Sequence, residues 1–152
     1  MDKYIQMDMQ LPSQRMFGFG ERVREFQLGE GTWTMWARGA DSPYDDGTGS
    51  KQVYGVHPFI LVQTAKKGEF FGMWFRNSNA QSPLIKFNQT SGGSTLSYIT
   101  TGGQLEIYFF ISGSAKQVIK SYHWAIGYPE LPPFWSLGWG QASWTYDTQE
   151  QV

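Results

Sequence analysis

From Tyr4 to Leu11 the chain alternates between apolar and polar residues (Tyr4-Ile5-Gln6-Met7-Asp8-Met9-Gln10-Leu11), and Pro12 ends the pattern. A period of two sends alternate side chains to opposite faces, which predicts a half-buried strand. Further strands are predicted at Thr32–Ala37, Val53–Val62, Glu69–Arg76, Leu84–Phe87, Thr95–Thr100 and Leu105–Ile111. Pro58 has no amide to donate, so it implies an edge position or a bulge in its strand. Ala65-Lys66-Lys67-Gly68 predicts a hairpin turn, and Ser91-Gly92-Gly93 and Thr101-Gly102-Gly103 separate the later strands. Many short strands at close spacing predict a mainly β, antiparallel sandwich. Gly18, Gly20, Gly29 and Gly31 punctuate a turn-rich stretch around Glu21-Arg22, and the segment from Arg38 to Gln52 predicts a long loop without core-forming residues.

One segment changes period. Val118, Ile119, Tyr122, Ala125 and Ile126 recur at helical spacing. Ser114 precedes them with Gln117 three residues on, a capping-box pattern, and Gly127 followed by Pro129 supplies the stop. A proline-rich bridge then leads into a second apolar stretch, Phe134-Trp135-Ser136-Leu137-Gly138-Trp139, which predicts a new strand. Since the sequence runs only to Val152, that strand reads as the opening of a further domain, and the chain as a piece of something larger.

Composition narrows the chemistry. The 152 residues carry 12 basic and 13 acidic side chains for a net charge of −1, which gives no reason to expect nucleic acid or an anionic membrane surface as partner. With no cysteine, disulfides, thiolate metal sites and cysteine nucleophiles are excluded, while the compartment stays open. No apolar run reaches the roughly 20 residues of a membrane-spanning helix. The 17% aromatic content and 18 glycines suit short twisted strands and tight turns. They also suit carbohydrate binding, since flat rings stack on the apolar faces of sugars.

No catalytic constellation emerges from the residues themselves. Glycoside hydrolysis needs two carboxyl groups flanking the scissile bond, and the candidates Glu21, Glu25, Glu30, Asp41, Asp45, Asp46 and Glu69 form no such pattern. Asp45-Asp46-Gly47 reads as turn chemistry, and Glu21-Arg22 as a loop-anchoring ion pair. His57 and His123, the 2 histidines, lie at no metal-ligand spacing, so neither a metal nor a cofactor is expected. Asn88-Gln89-Thr90 is a glycosylation acceptor triplet, meaningful only in a secreted chain.

Several words in order do carry a resemblance. Phe17-Gly18-Phe19-Gly20-Glu21-Arg22, Thr34-Met35-Trp36-Ala37-Arg38, Val53-Tyr54-Gly55-Val56-His57-Pro58-Phe59 and Arg76-Asn77-Ser78-Asn79-Ala80 are followed by Ile126-Gly127-Tyr128-Pro129 and Leu131-Pro132-Pro133-Phe134-Trp135-Ser136-Leu137-Gly138. Together they resemble the N-terminal part of glycoside hydrolase family 31, the α-glucosidases of the maltase-glucoamylase, sucrase-isomaltase and lysosomal kind. The resemblance implies a galactose-mutarotase-like β-sandwich over residues 1–112, lacking its first strands. A linker helix and proline bridge would occupy 113–133, and the truncated start of a TIM-type catalytic barrel 134–152, with Trp135–Ala142 as its first strand. The parent would release terminal α-linked glucose from oligosaccharides with retention, its nucleophile and acid/base lying beyond Val152. The family's tryptophan–any–aspartate–methionine word does not occur here, so this piece is expected to be inert alone. At the family's substrate-contacting aspartate this chain has Gly39, which leaves Asp41 as the candidate replacement. Trp144 falls where the family lines the sugar pocket with an aromatic. The implied partners are an α-glucoside oligosaccharide and the rest of the barrel, and family analogy implies a secreted or lysosomal setting. The rival reading is a stand-alone carbohydrate-binding or interaction module. The apolar tail Phe134–Trp139 discriminates between them, since only a barrel requires it.

Overall fold

The computed structural model of the protein describes residues 4–37, 51–141 and 148–151. Its strands are β1 (Ile5–Leu11), β2 (Met16–Gly18), β3 (Gly31–Thr32), β4 (Phe59–Gln63), β5 (Phe70–Phe75), β6 (Leu84–Phe87), β7 (Ser94–Thr100) and β8 (Ile107–Gly113), followed by helix α1 (Ala115–Ile126). Two four-stranded antiparallel sheets result, in the orders β1-β7-β6-β3 and β2-β4-β5-β8. The alternation in β1 is used as expected: it pairs along its whole length with β7, Ile5 opposite Thr100 and Leu11 opposite Ser94. Ile60, Val62, Met73 and Phe75 of one sheet meet Ile85, Leu96 and Tyr98 of the other in one buried cluster. The Tyr98 ring stacks on Phe75 at 4.3 Å and 9°, which places β7 over β5.

Two predicted strands are shorter than their patterns. Only Gly31–Thr32 of the Thr32–Ala37 region joins a ladder, continued by an isolated bridge from Met35 to Gln81. The cause is Pro83, which accepts from the Trp33 amide at 2.7 Å but has no N–H to return. Between Val53 and Val62 the ladder begins only at Phe59. Before it, Val53 and Gly55 bond instead to the Glu21 backbone, and Pro58 interrupts the donors. The three-residue β2 lies inside the stretch whose glycines predicted only turns. Gly18 there has φ +132°, and a Cβ would strike the Phe59 carbonyl oxygen, so glycine is required for the two strands to close.

Helix α1 forms as its cap predicts: Ser114 Oγ accepts from the Gln117 amide and the Gln117 side chain accepts from Ser114 N–H. The helix lies on the outer face of the β2-β4-β5-β8 sheet. Val118 is buried there, and Tyr122 stacks on Phe59 at 4.3 Å and meets Trp74 and Phe110 edge-on. Gly72 makes this approach possible, because a Cβ at that position would sit 2.7 Å from Val118 Cγ1 and 2.8 Å from Phe59 Cζ.

Beyond α1 the expected strand is absent among the described residues. Phe134–Leu137 form a 3-10 helix, with Ser136 Oγ donating to the Pro133 carbonyl at 2.8 Å and Gly138 N–H to Trp135 at 3.2 Å. A lone strand has no neighbour for its backbone groups, and a tight turn satisfies some of them locally.

Candidate functional site

Asp41 and Trp144, the two residues expected to touch sugar, lie outside the described residues, as do Gly39, Asp45 and Asp46. The described structure shows how the ends of the segment holding Asp41 are fixed. On the entering side the Trp36 amide donates to Gln52 Oε1 at 2.8 Å, and Met35 exchanges backbone hydrogen bonds with Gln81 at 2.7 and 3.0 Å. On the returning side Val23 N–H donates to Lys51 and Val53 N–H to Glu21, both at 3.1 Å. Both stems are thus tied to one rigid end of the sandwich, an arrangement suited to presenting a binding loop.

Glu21 and Arg22 serve that end, though not by the mutual ion pair expected of them. Glu21 Oε2 accepts from the Gly55 amide at 2.8 Å. Arg22 donates to the carbonyls of Phe19 and Thr34, and its guanidinium lies 5.5 Å from the Trp33 ring centre. Flat, multidentate guanidinium suits such a staple between loop and strand.

Beside these stems opens a concavity of about 480 Å³ lined by Met35, Trp36, Val56, Pro58, Asn77 and Gln81, among others. Asn77 organises its wall. Its Nδ2 donates to the carbonyls of Gly102 at 2.9 Å and Gln104 at 3.1 Å, while its Oδ1 accepts from the Asn79 amide at 2.8 Å. Gln81 Nε2 donates to the Asn77 carbonyl at 2.6 Å. Gln81 Oε1 and Gln52 Nε2 are buried without a hydrogen-bond partner among the described residues. Asn77-Ser78-Asn79 predicts only a strand end from its polarity; its structural role depends on carbonyls from a loop 25 positions away, as in the Asn77–Gly102 bond.

Several of the described carboxylates are occupied structurally. Glu30 accepts from the Phe87 amide at 2.6 Å, Glu69 meets Thr64 and Lys66, and Glu106 meets Arg76 at 2.9 Å. Hydrogen bonds from Tyr108 and then Arg76 hold the Glu106 carboxyl below its ordinary value, and bonds from Ser97 and Gln6 do the same for Asp8. A general acid for glycoside cleavage requires the opposite shift. No group of three potential metal ligands occurs among the described residues. His57 is exposed, and the His123 ring packs 5.8 Å from Tyr128. No described helix is long and apolar enough to cross a membrane.

Fold and site together define an antiparallel sandwich that fixes, at one end, the residues on either side of the segment holding Asp41 and carries a helix on one outer face. The family model of the glycosyl hydrolase 31 N-terminal galactose mutarotase-like domain matches residues 1–82, and the chain belongs to that family. It is 32% identical to intestinal sucrase-isomaltase of Oryctolagus cuniculus over 99% of this chain and 8% of that protein. To lysosomal alpha-glucosidase of Mus musculus it is 33% identical over 97% of this chain and 14% of the relative. The crystal structure of a glucosidase II alpha subunit superposes with a TM-score of 0.67 at 16% identity, covering 79% of this chain and 15% of that one; that likeness concerns the fold. The chain therefore spans only a small part of the length of these relatives.

Proposed function

We propose that this chain is the N-terminal portion of a retaining α-glucosidase-type hydrolase that releases terminal α-linked glucose from oligosaccharides. In this reading residues 1–112 are the sandwich, 113–133 the linker and 134–152 the start of the catalytic barrel. Two barrel carboxylates downstream would perform the double displacement, one as nucleophile and one as acid/base. The chain's own contribution is positioning: the stapled stems at Trp36 and Gln52 hold Asp41 toward substrate hydroxyls, and Trp144 walls the sugar pocket.

The observation that carries this reading is the surface that follows α1. Leu131 is 87% exposed, Phe134 90%, Trp135 81% and Trp139 91%, and Trp124 on the helix 81%. Large apolar side chains left exposed in such number mark a surface that another part of a protein covers. A free-standing sugar-binding module has no use for it, whereas a barrel closing against linker and sandwich would bury it. The test is reconstitution. The chain and a separately produced downstream barrel, combined, should recover hydrolysis of an aryl α-glucoside, and Leu131→Asp or Phe134→Asp should reduce the recovered rate. Recovery that is indifferent to both substitutions would refute the assignment of this surface.

A further inference from the structure

The sequence has three asparagines, Asn77, Asn79 and Asn88, and Asn88 alone begins a triplet with a hydroxyl residue in third place, Asn88-Gln89-Thr90. The structure sets the same residue apart. Asn77 Nδ2 donates to the carbonyls of Gly102 and Gln104, and Asn79 Nδ2 donates to Asn77 Oδ1 at 3.0 Å, so both amides are spent inside the fold. At Asn88 the side-chain bonds fall on oxygen only. Its Oδ1 accepts from the amides of Thr90 at 3.0 Å and Ser91 at 3.1 Å, an Asx turn. Its Nδ2 and the Thr90 hydroxyl have no hydrogen-bond partner among the described residues.

The backbone beneath this amide is fixed. Asn88 N–H donates to the Gly93 carbonyl and its own carbonyl accepts from Gly92, both at 2.9 Å, and from Gln14 Nε2 at 3.1 Å. The turn joins β6 to β7, and every residue from Asn88 to Gly92 is exposed. A held turn thus presents a side-chain amide whose nitrogen is free and whose surroundings are open.

We propose that Asn88 carries an N-linked oligosaccharide. Nδ2 forms a bond to the anomeric carbon of a lipid-diphosphate-linked oligosaccharide, and the bond from that carbon to the phosphate oxygen breaks. The lipid diphosphate leaves with the electron pair, and a base of the transferring enzyme takes the Nδ2 proton. The Thr90 hydroxyl completes the recognised triplet. A glycan is bulky and solubilising and needs a surface position, which this turn supplies. It also stands clear of the regions assigned to substrate and barrel. The turn precedes Ser94 at one end of the seven-residue β7, whereas Thr100 at the other end bridges to Gln81 beside the loop stems. A strand of that length separates the two by roughly 20 Å. Helix α1 packs on the other sheet, through Phe59 and Phe110.

The full polypeptide containing this chain is isolated from the cells that make it and digested. Its peptides are then treated with peptide-N-glycosidase in heavy-oxygen water, which removes an N-linked glycan and leaves a labelled aspartate. The peptide spanning residue 88 should carry that label in most molecules. When the same polypeptide is expressed in cells that perform this transfer, Thr90→Ala should abolish the label and Thr90→Ser should keep it. The Thr90 side chain bonds to nothing described, so neither substitution disturbs the fold. Unmodified Asn88 in the native polypeptide overturns the proposal, and so does a label that persists in Thr90→Ala. The readout is a mass and not an activity: an unmodified Asn88 leaves the proposed hydrolase standing, and an inactive hydrolase leaves the glycan standing.

Discussion

Replacing Gly72 by alanine tests how α1 is held against the sheet. The added Cβ would lie 2.7 Å from Val118 Cγ1 and 2.8 Å from Phe59 Cζ, against the roughly 3.5–4.0 Å at which carbon atoms attract. Phe59 cannot retreat freely, because its other face stacks on Tyr122, and Val118 sits on a helix fixed by its cap. Overpacking of this kind costs about 1–3 kcal/mol. Alanine also restricts the unfolded chain, an opposing gain of about 0.4–1 kcal/mol. The clash wins, for a net loss of about 1–2 kcal/mol and a fall in Tm of about 2–8 °C for a chain of this size. Urea denaturation of the single variants and of Gly72→Ala/Val118→Ala measures it. Removing the Val118 methyls relieves one of the two clashes, so the double variant should be more stable than the sum of the single losses by about 0.5 kcal/mol or more. Strict additivity, or an unperturbed Gly72→Ala, would refute the packing argument.

Other outcomes follow from single contacts. Ser114→Ala removes the Oγ that accepts from the Gln117 amide and should destabilise α1 by about 1 kcal/mol, read from amide exchange in its first turn; unchanged exchange there would count against the cap. The Tyr98 hydroxyl is buried without a hydrogen-bond partner of good geometry among the described residues, and burial, only partly offset by nearby Thr100, pushes its pKa up to about 12. Tyr98→Phe should therefore be neutral or stabilising by about 1 kcal/mol, and a loss larger than that in a denaturation curve would reveal a hydrogen bond. Folding lowers the Glu106 pKa through Tyr108 and Arg76. Its contribution is then complete above the unfolded glutamate value, about 4.3, and is lost as pH falls through the lower folded value. Glu106→Gln should flatten the acid limb of the stability–pH profile; an identical limb in both proteins would show that this carboxylate is not linked to folding.

Much of this architecture was legible because it is written locally. The alternation from Tyr4 to Leu11, the four residues Leu84–Phe87 and the Ser114–Gln117 cap each specify their own element, and the structure uses them as read. What escaped depends on contacts far apart in sequence. Met16–Gly18 becomes a strand only because β4 lies beside it, and Thr32–Ala37 stays irregular because Pro83 faces it. Glu21 and Arg22 are adjacent and opposite in charge, which suggested a pair, yet each finds a better partner in backbone brought by the loop stems. The apolar tail read as a strand because strand propensity describes a residue in a sheet, and Phe134–Leu137 have no sheet to join. Asp41 and Trp144 followed from family resemblance alone, and no local pattern marks either as a sugar contact.

We propose that the chain belongs to an α-glucosidase-type hydrolase whose chemistry resides outside these residues, which position substrate and support the barrel. The most direct measurement of this compares hydrolysis of an aryl α-glucoside by the purified 152-residue chain and by the polypeptide continued through the downstream barrel. The account predicts no turnover above background for the chain and clear turnover, with retention at the anomeric carbon, for the continued polypeptide. Hydrolysis by the chain alone, with contaminating enzyme excluded, would contradict it.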